Sequence, residues 1–151
     1  YSALRHVAEG RVAEVEKLVR TWLRHKDEME PVQPAELLER AAKGLVVVID
    51  VRPPEEYAAG HVPGARNHPF TLSLGADGRF LPPDELRSRF LTSLDGVPAS
   101  RTIAMCGSGV TACHLLLALE HAGLDGARLY PGSWSEWSSG PARPVRTGAS
   151  A

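Results

Sequence analysis

Apolar residues along most of this chain alternate between short continuous runs and stretches with helical spacing. The run at residues 45–51 is rich in β-branched side chains, which is typical of a central parallel strand buried on both faces. The same reading predicts strands at 64–69, 101–105 and 127–130, and helices at 34–43, 54–59, 83–94, 111–123 and 133–138. This alternation predicts an α/β fold, with a small parallel sheet flanked by helices on both faces.

The N-terminal part of the chain has a different pattern. Apolar residues recur at helical spacing over residues 3–28 and predict one long amphipathic helix, which Pro31 and Pro34 end. A seam that approximates heptad spacing, interrupted by Arg11, consists of Leu4, Ala8, Val15, Leu18 and Trp22. An apolar face of this length must be covered. The helix therefore either packs on its own domain or, as we predict, pairs two copies of the chain in a homodimer.

These patterns divide the chain into three parts. Residues 1–31 form the helix and linker, residues 32–140 the α/β domain, and residues 141–151 a tail rich in Pro, Gly and Ser that is predicted to be disordered. The longest apolar run has the length of a strand, so no membrane span is predicted, and no signal peptide is evident. The chain begins with Tyr1 rather than Met, which leaves open that it is a fragment.

Charge and cysteine content narrow the classes of function. The formal net charge of −1 argues against a nucleic-acid partner bound by bulk electrostatics. The two cysteines, Cys106 and Cys113, have no neighbouring Cys or His residues at zinc-binding spacing, so no metal site is predicted. Cys113 falls inside a predicted helix and is expected to be inert. A free working thiol suits a reduced, cytoplasmic setting.

The surroundings of Cys106 are typical of a nucleophile. It follows the predicted strand at 101–105 and opens the sequence Cys106-Gly-Ser-Gly-Val-Thr111, which leads into a predicted helix. Loop N–H groups that curl around one point form an anion site, and a helix N-terminus adds partial positive charge. Both favour thiolate over thiol. Free cysteines are more often small buried apolar residues, but Gly107 and Gly109 indicate a backbone with unusual dihedral angles here.

At this point the sequence resembles a known family. The Cys106 loop resembles the active-site loop of the rhodanese superfamily, in the form typical of 3-mercaptopyruvate sulfurtransferases. Three further motifs resemble that family in the same order: Asp50-Val-Arg52 with Glu56-Tyr57, Gly60-His-Val-Pro-Gly-Ala65, and Tyr130-Pro-Gly-Ser-Trp-Ser-Glu-Trp137. The resemblance covers residues 32–140. The N-terminal segment also resembles the linker helix of ArsR-family regulators fused to rhodanese domains.

The resemblance implies sulfur transfer. The Cys106 thiolate would take sulfane sulfur from a donor, 3-mercaptopyruvate or thiosulfate, and pass the resulting persulfide sulfur to a thiol or cyanide acceptor. No metal or organic cofactor is needed. The persulfide charge would be held by the amides of Gly107, Ser108, Gly109, Val110 and Thr111. Ser108 either hydrogen-bonds the substrate or leaves the loop neutral. The neutral loop predicts a preference for 3-mercaptopyruvate over thiosulfate.

Two arginines are candidates for binding the donor. Arg52 matches an arginine that is thought to bind the substrate carboxylate in two-domain sulfurtransferases. The other interpretation, which we favour slightly, is an ion pair with Glu55 or Glu56 that fixes the strand-to-helix turn. Arg66 either faces the pocket or lies on the surface.

Other motif residues are expected to support the site. Asp50 is expected to anchor loop amides, and Thr111 to cap the helix and orient the thiolate. His61 is expected to be a buried structural histidine. Trp134 and Trp137 are expected to lie in the core.

Three other functions compete with a single-domain sulfurtransferase. A cysteine-dependent phosphatase needs an arginine six residues after the cysteine, where this chain has Ala112. A sulfur or redox sensing module of a transcriptional regulator that has lost its DNA-binding domain would use the same Cys106. The chain could also be the catalytic fragment of a longer enzyme. Mercaptopyruvate-type enzymes have two rhodanese domains with the site at their interface, so donor specificity does not carry over with the loop motif.

Overall fold

A computed structural model of the chain describes residues 31–151. The predicted helix at 3–28 and its dimer seam lie outside the described residues. Four short parallel strands form one sheet in the order β2-β1-β3-β4: β1 Val47–Asp50, β2 Arg66–Asn67, β3 Thr102–Met105 and β4 Arg128–Leu129. The predicted α/β fold with a small parallel sheet is confirmed.

The two central strands set the position of the candidate site. In their register Val47 lies opposite Thr102 and Asp50 lies opposite Met105. The pairing continues one step beyond the strands, because the Val51 N–H donates to the Met105 carbonyl at 3.1 Å. The segment after Asp50 and the loop after Met105 therefore leave the sheet side by side at its carboxyl edge.

Five α-helices surround the sheet in the described part of the chain: α1 Pro34–Ala42, α2 Pro54–Ala59, α3 Pro83–Leu94, α4 Val110–His121 and α5 Ser133–Ser139. The first three begin with a proline in the first turn. Proline suits that position because its ring fixes a helical φ and the missing N–H would have no partner there. Among these helices none is long and apolar enough to cross a membrane.

One hydrophobic cluster packs α1, α2 and α5 against the sheet. Its largest member, Trp137 of α5, is fully buried and meets Tyr130 edge-on, with 6.4 Å between ring centroids. The other members include Val32, Leu37, Val48, Tyr57, Val62, Ile103 and Met105. The expectation that Trp137 lies in the core is confirmed, and Trp134 packs against the same cluster while remaining partly buried.

The tail at 141–151, for which composition predicts disorder, is instead tied to the domain. Arg146 and His61 exchange backbone hydrogen bonds of 2.9 and 3.0 Å. The indole N–H of Trp137 donates to the Pro144 carbonyl at 2.8 Å. A buried indole needs an acceptor, and this tail supplies it, which composition alone does not reveal.

His68 generates a prediction about acid stability. Its side chain is 2% exposed, and Nδ1 lies 2.7 Å from the Ser93 hydroxyl. Burial, with a smaller contribution from the charge of Arg89, lowers the pKa of His68 from 6.5 to about 4. The folded state thus keeps His68 neutral at a pH where the unfolded chain binds a proton, so stability is lost as the pH falls from 6.5 towards 4.

We expect His68→Gln to lose less stability than the natural chain across that interval. The shift corresponds to at most about 3 kcal/mol of pH-dependent free energy of unfolding. Urea unfolding at pH 7, 6, 5 and 4.5 measures it for both proteins. If the two proteins show parallel pH dependence, the buried neutral histidine is not its source.

Candidate active site

Cys106 lies directly after β3, at the carboxyl edge of the sheet, and is 2% exposed. The Gly109 N–H donates to Cys106 Sγ at 2.9 Å. Gly109 has a φ of 90°, and a Cβ at this position would overlap the carbonyl oxygen of Pro131. Only glycine meets both conditions without strain. Gly107, in contrast, has open space around it and no left-handed φ, so the expectation of unusual dihedral angles holds for Gly109 alone.

Helix α4 begins one residue earlier than the sequence predicts. Gly109 is the residue before the helix, Val110 is its first residue, and no side chain caps it. The prediction that Thr111 caps the helix is therefore wrong, and Thr111 is an exposed residue of the first turn. The physical reason is the left-handed φ of Gly109, which turns the chain into the helix before Thr111 is reached. The exposed fraction of Val110 is 75%.

A second segment, residues 133–135 after β4, holds the Cys106 loop. The Trp134 N–H donates to the Cys106 carbonyl, and the Ser135 N–H to the Gly107 carbonyl, both at 2.9 Å. The Ser135 hydroxyl also donates to the Gly107 carbonyl, at 2.7 Å. In a trans peptide the N–H points opposite to the C=O. The N–H groups of Gly107 and Ser108 are therefore directed away from residues 133–135.

Sequence reasoning did not assign these contacts. It placed Trp134 in the core and gave Ser133 and Ser135 no role, although they stand inside the motif at residues 130–137. The signal that could have found them is topological. The motif follows β4, and β4 pairs with β3, so the carboxyl ends of both strands meet at one edge.

Arg52 is buried and fully engaged by the protein. Its guanidinium forms an ion pair with Asp50 at 2.8 Å and donates to the Gly60 carbonyl at 2.7 Å. It also lies over the Trp134 ring, 4.6 Å from the centroid. The structural interpretation of Arg52 fits these contacts, but the expected partners Glu55 and Glu56 are wrong because both lie exposed in the first turn of α2.

Asp50 serves Arg52 rather than the Cys106 loop. Its carboxylate accepts from the Arg52 backbone N–H at 3.0 Å and from the Arg52 side chain at 2.8 to 3.1 Å. The backbone N–H that Asp50 binds belongs to Arg52 and not to the Cys106 loop. The expectation that Asp50 anchors the loop amides is therefore wrong. A fully buried carboxylate needs a cation, and the arginine two residues later supplies it.

Arg66 and His61 also have internal partners. Arg66 donates to the Ser93 and Leu94 carbonyls at 3.0 and 2.8 Å, at the C-terminus of α3, where a cation is favoured. It therefore binds a helix end, and neither of the two alternatives for it describes this contact. His61 is buried as expected. Its Nδ1 lies 2.8 Å from the Tyr57 carbonyl, and its ring stacks on Tyr57 with 3.8 Å between centroids.

Cys113 differs from Cys106 in its surroundings. It is an exposed residue of α4, but its thiol is directed back along the helix and donates to the Gly109 carbonyl at 3.5 Å. Desolvation of the thiol, together with the nearby Cys106, raises the pKa of Cys113. A thiol that stays protonated is a weak nucleophile. Within residues 31–151 no group of three or more His, Cys, Asp or Glu side chains is placed to hold a metal ion.

The sequence of this chain is similar to those of known proteins. The profile of the rhodanese-like domain matches residues 33–140. A Pseudomonas aeruginosa protein named "Probable 3-mercaptopyruvate sulfurtransferase" is 57% identical over 95 residues, which are 63% of this chain and 34% of that protein. The "Thiosulfate/3-mercaptopyruvate sulfurtransferase 2" of Arabidopsis thaliana is 40% identical over 90 residues, 58% of this chain and 25% of that protein.

A solved structure supports the same relationship. SseA from Escherichia coli, described as a 3-mercaptopyruvate sulfotransferase with the "Rhodanese" fold, superposes with a TM-score of 0.60 and 35% identity. The match covers 72% of this chain and 43% of SseA. The chain spans only a quarter to a third of the length of the two curated relatives described above. With the profile matching most of its length, the chain belongs to the rhodanese-like domain family.

Proposed function

We propose that this chain is a sulfurtransferase in which Cys106 carries the transferred sulfur as a persulfide. The observation that carries the proposal is the Gly109 N–H on Cys106 Sγ, in a loop whose carbonyls are bound by residues 133–135. The N–H groups of Gly107 and Ser108 point away from those residues, and in this proposal they help to hold the sulfur anion. Fixed amide dipoles of this kind stabilise negative charge as an oxyanion hole does.

The reaction has two steps. The Cys106 thiolate attacks the thiol sulfur of 3-mercaptopyruvate or the outer sulfur of thiosulfate and forms a new S–S bond. The bond from that sulfur to the rest of the donor breaks, and its electron pair leaves with pyruvate enolate or sulfite. An acceptor thiolate or cyanide then attacks the outer sulfur, and the Cys106 thiolate departs. Small-molecule donors and acceptors follow from this chemistry, and a reduced cytoplasmic setting, which keeps the thiol free, is part of the proposal.

Phosphatase chemistry is not favoured by the site. The residue six positions after Cys106 is Ala112, which is completely buried inside α4. A phosphate dianion bound here would therefore lack the guanidinium that a cysteine-dependent phosphatase supplies from that position. The neutral loop suits a single sulfur anion better.

The first prediction from the proposed function concerns which cysteine carries the sulfur. Incubation with donor should add the mass of one sulfur atom to the natural chain and to Cys113→Ser, and nothing to Cys106→Ser. Thiocyanate formation from donor and cyanide should follow the same pattern. Intact mass spectrometry measures the adduct. An added sulfur that survives Cys106→Ser contradicts the assignment, and persulfide without thiocyanate favours the sensing module.

The second prediction uses the two loop glycines as a matched pair. Gly109→Ala must move the loop away from Pro131, so it should lower the thiocyanate rate by about a hundredfold or more, the order seen when one oxyanion-hole donor is lost. Gly107→Ala meets open space and should change the rate by only a few fold. Circular dichroism confirms that both variants are folded. Equal effects of the two substitutions would show that the Gly109 backbone is not what matters.

The third prediction concerns the donor. The loop is uncharged, and Arg52 and Arg66 are both engaged by protein partners, so a dianion gains little here. We expect a higher kcat/KM for 3-mercaptopyruvate than for thiosulfate. Gly107→Arg, placed in open space, should raise kcat/KM for thiosulfate, and Gly107→Gln serves as the uncharged control. A natural chain that uses thiosulfate equally well contradicts the role of loop charge.

The fourth prediction concerns assembly. Pairing of two chains through residues 3–28 is proposed from the apolar seam alone. Sedimentation velocity should show a dimer for the full chain and a monomer for a chain that starts at Glu30. Two monomeric proteins would mean that the seam does not form a dimer.

A further inference from the structure

The Ser133 side chain lies next to Cys106, and the two-step reaction gives it no role. Its side chain is completely buried, and its φ is 53°. A left-handed φ is unfavourable for a residue with a Cβ, so glycine would fit the backbone better. The hydroxyl group must therefore contribute something that offsets this strain.

The contacts of the Ser133 hydroxyl identify that contribution. It accepts from the Cys106 backbone N–H at 3.1 Å and donates to the Tyr130 carbonyl at 2.9 Å. Its oxygen also lies 3.9 Å from Cys106 Sγ. One side chain thus binds both the backbone of Cys106 and, at a longer distance, its sulfur.

We propose that Ser133 is a positioning residue that sets the nucleophilicity of Cys106. It holds the Cys106 amide in place, and it turns its O–H from the Tyr130 carbonyl to Sγ when the sulfur becomes an anion. An anionic sulfur is a stronger acceptor than a neutral carbonyl, which gives the hydroxyl a reason to turn. The Gly109 N–H and the Ser133 O–H then stabilise the thiolate together. The inference rests on the proposed function only in taking Cys106 as the nucleophile.

Ser135 provides a matched control within the same segment. Its hydroxyl also binds the Cys106 loop, but at the Gly107 carbonyl, and it is exposed. Removing it weakens the support of the loop without removing a donor near the sulfur. A purely structural role of this segment would therefore make Ser133 and Ser135 equivalent, whereas the proposal separates them.

The test is the pH dependence of Cys106 alkylation by iodoacetamide, followed by mass spectrometry on the full chain carrying Cys113→Ser. The midpoint of the profile should move up by about one pH unit in Ser133→Ala and Ser133→Gly, since a hydrogen bond to a charged group is worth about 1.5 kcal/mol or more. Ser135→Ala should leave the midpoint unchanged. Ser133→Gly suits the backbone angle and keeps the comparison open if the alanine variant does not fold.

An unchanged midpoint in Ser133→Gly, or an equal shift in Ser135→Ala, would overturn the proposal. Alkylation needs no sulfur donor, so the outcome is separate from the function itself. A shifted midpoint in a protein that forms no thiocyanate would sustain the role of Ser133 and reject sulfur transfer.

Discussion

The hydrogen bonds between residues 133–135 and the Cys106 loop are the constraint on which the site depends. Ser133 and Cys106 are 27 positions apart in sequence, and their meeting is a consequence of β4 pairing with β3. Each bond contributes about 1 kcal/mol to stability, so their larger effect is geometric. By binding the carbonyls on one side of the loop, they direct the adjacent N–H groups to the other side, where an anion can be held.

The same segment connects the loop to a buried ion pair. The backbone N–H of Trp134 donates to the Cys106 carbonyl, and the Trp134 ring lies against the Arg52 guanidinium, whose charge Asp50 neutralises. A buried pair of this kind adds little net stability compared with apolar residues, but removing one partner leaves an uncompensated charge that costs about 3–5 kcal/mol. The pair therefore fixes the place of Trp134 under the loop. It also explains why Arg52 contacts protein groups where the family resemblance suggested a substrate carboxylate.

The loop that follows Cys106, residues 107–111, has no charged side chain, so in the proposed reaction only hydrogen-bond donors stabilise the sulfur anion. Amide N–H groups stabilise a sulfur that carries one negative charge without a counter-ion. Because the backbone fixes them, they need no reorganisation when the charge moves from Sγ to the outer sulfur of the proposed persulfide. The Gly109 N–H donates to Sγ itself and the Ser133 hydroxyl lies 3.9 Å from it, which is the arrangement that the proposed transfer of a single sulfur requires.

The local patterns of this sequence were sufficient for the elements and for the position of Cys106. Residues 45–51 read as a buried strand because of their β-branched run, α2 and α3 have the predicted bounds because proline starts them, and the Cys106 motif is contiguous. Only the tertiary structure decided the partners of Arg52, Arg66 and Ser133, the start of α4 at Val110 and the order in the tail. Each of these depends on a group elsewhere, such as the Leu94 carbonyl for Arg66 or the Pro131 carbonyl beside Gly109. The spacing of apolar residues depends on the local helix or strand and therefore predicts these elements from sequence alone. Hydrogen-bond partners that are distant in sequence depend on which strand ends and helix ends the folded sheet brings together.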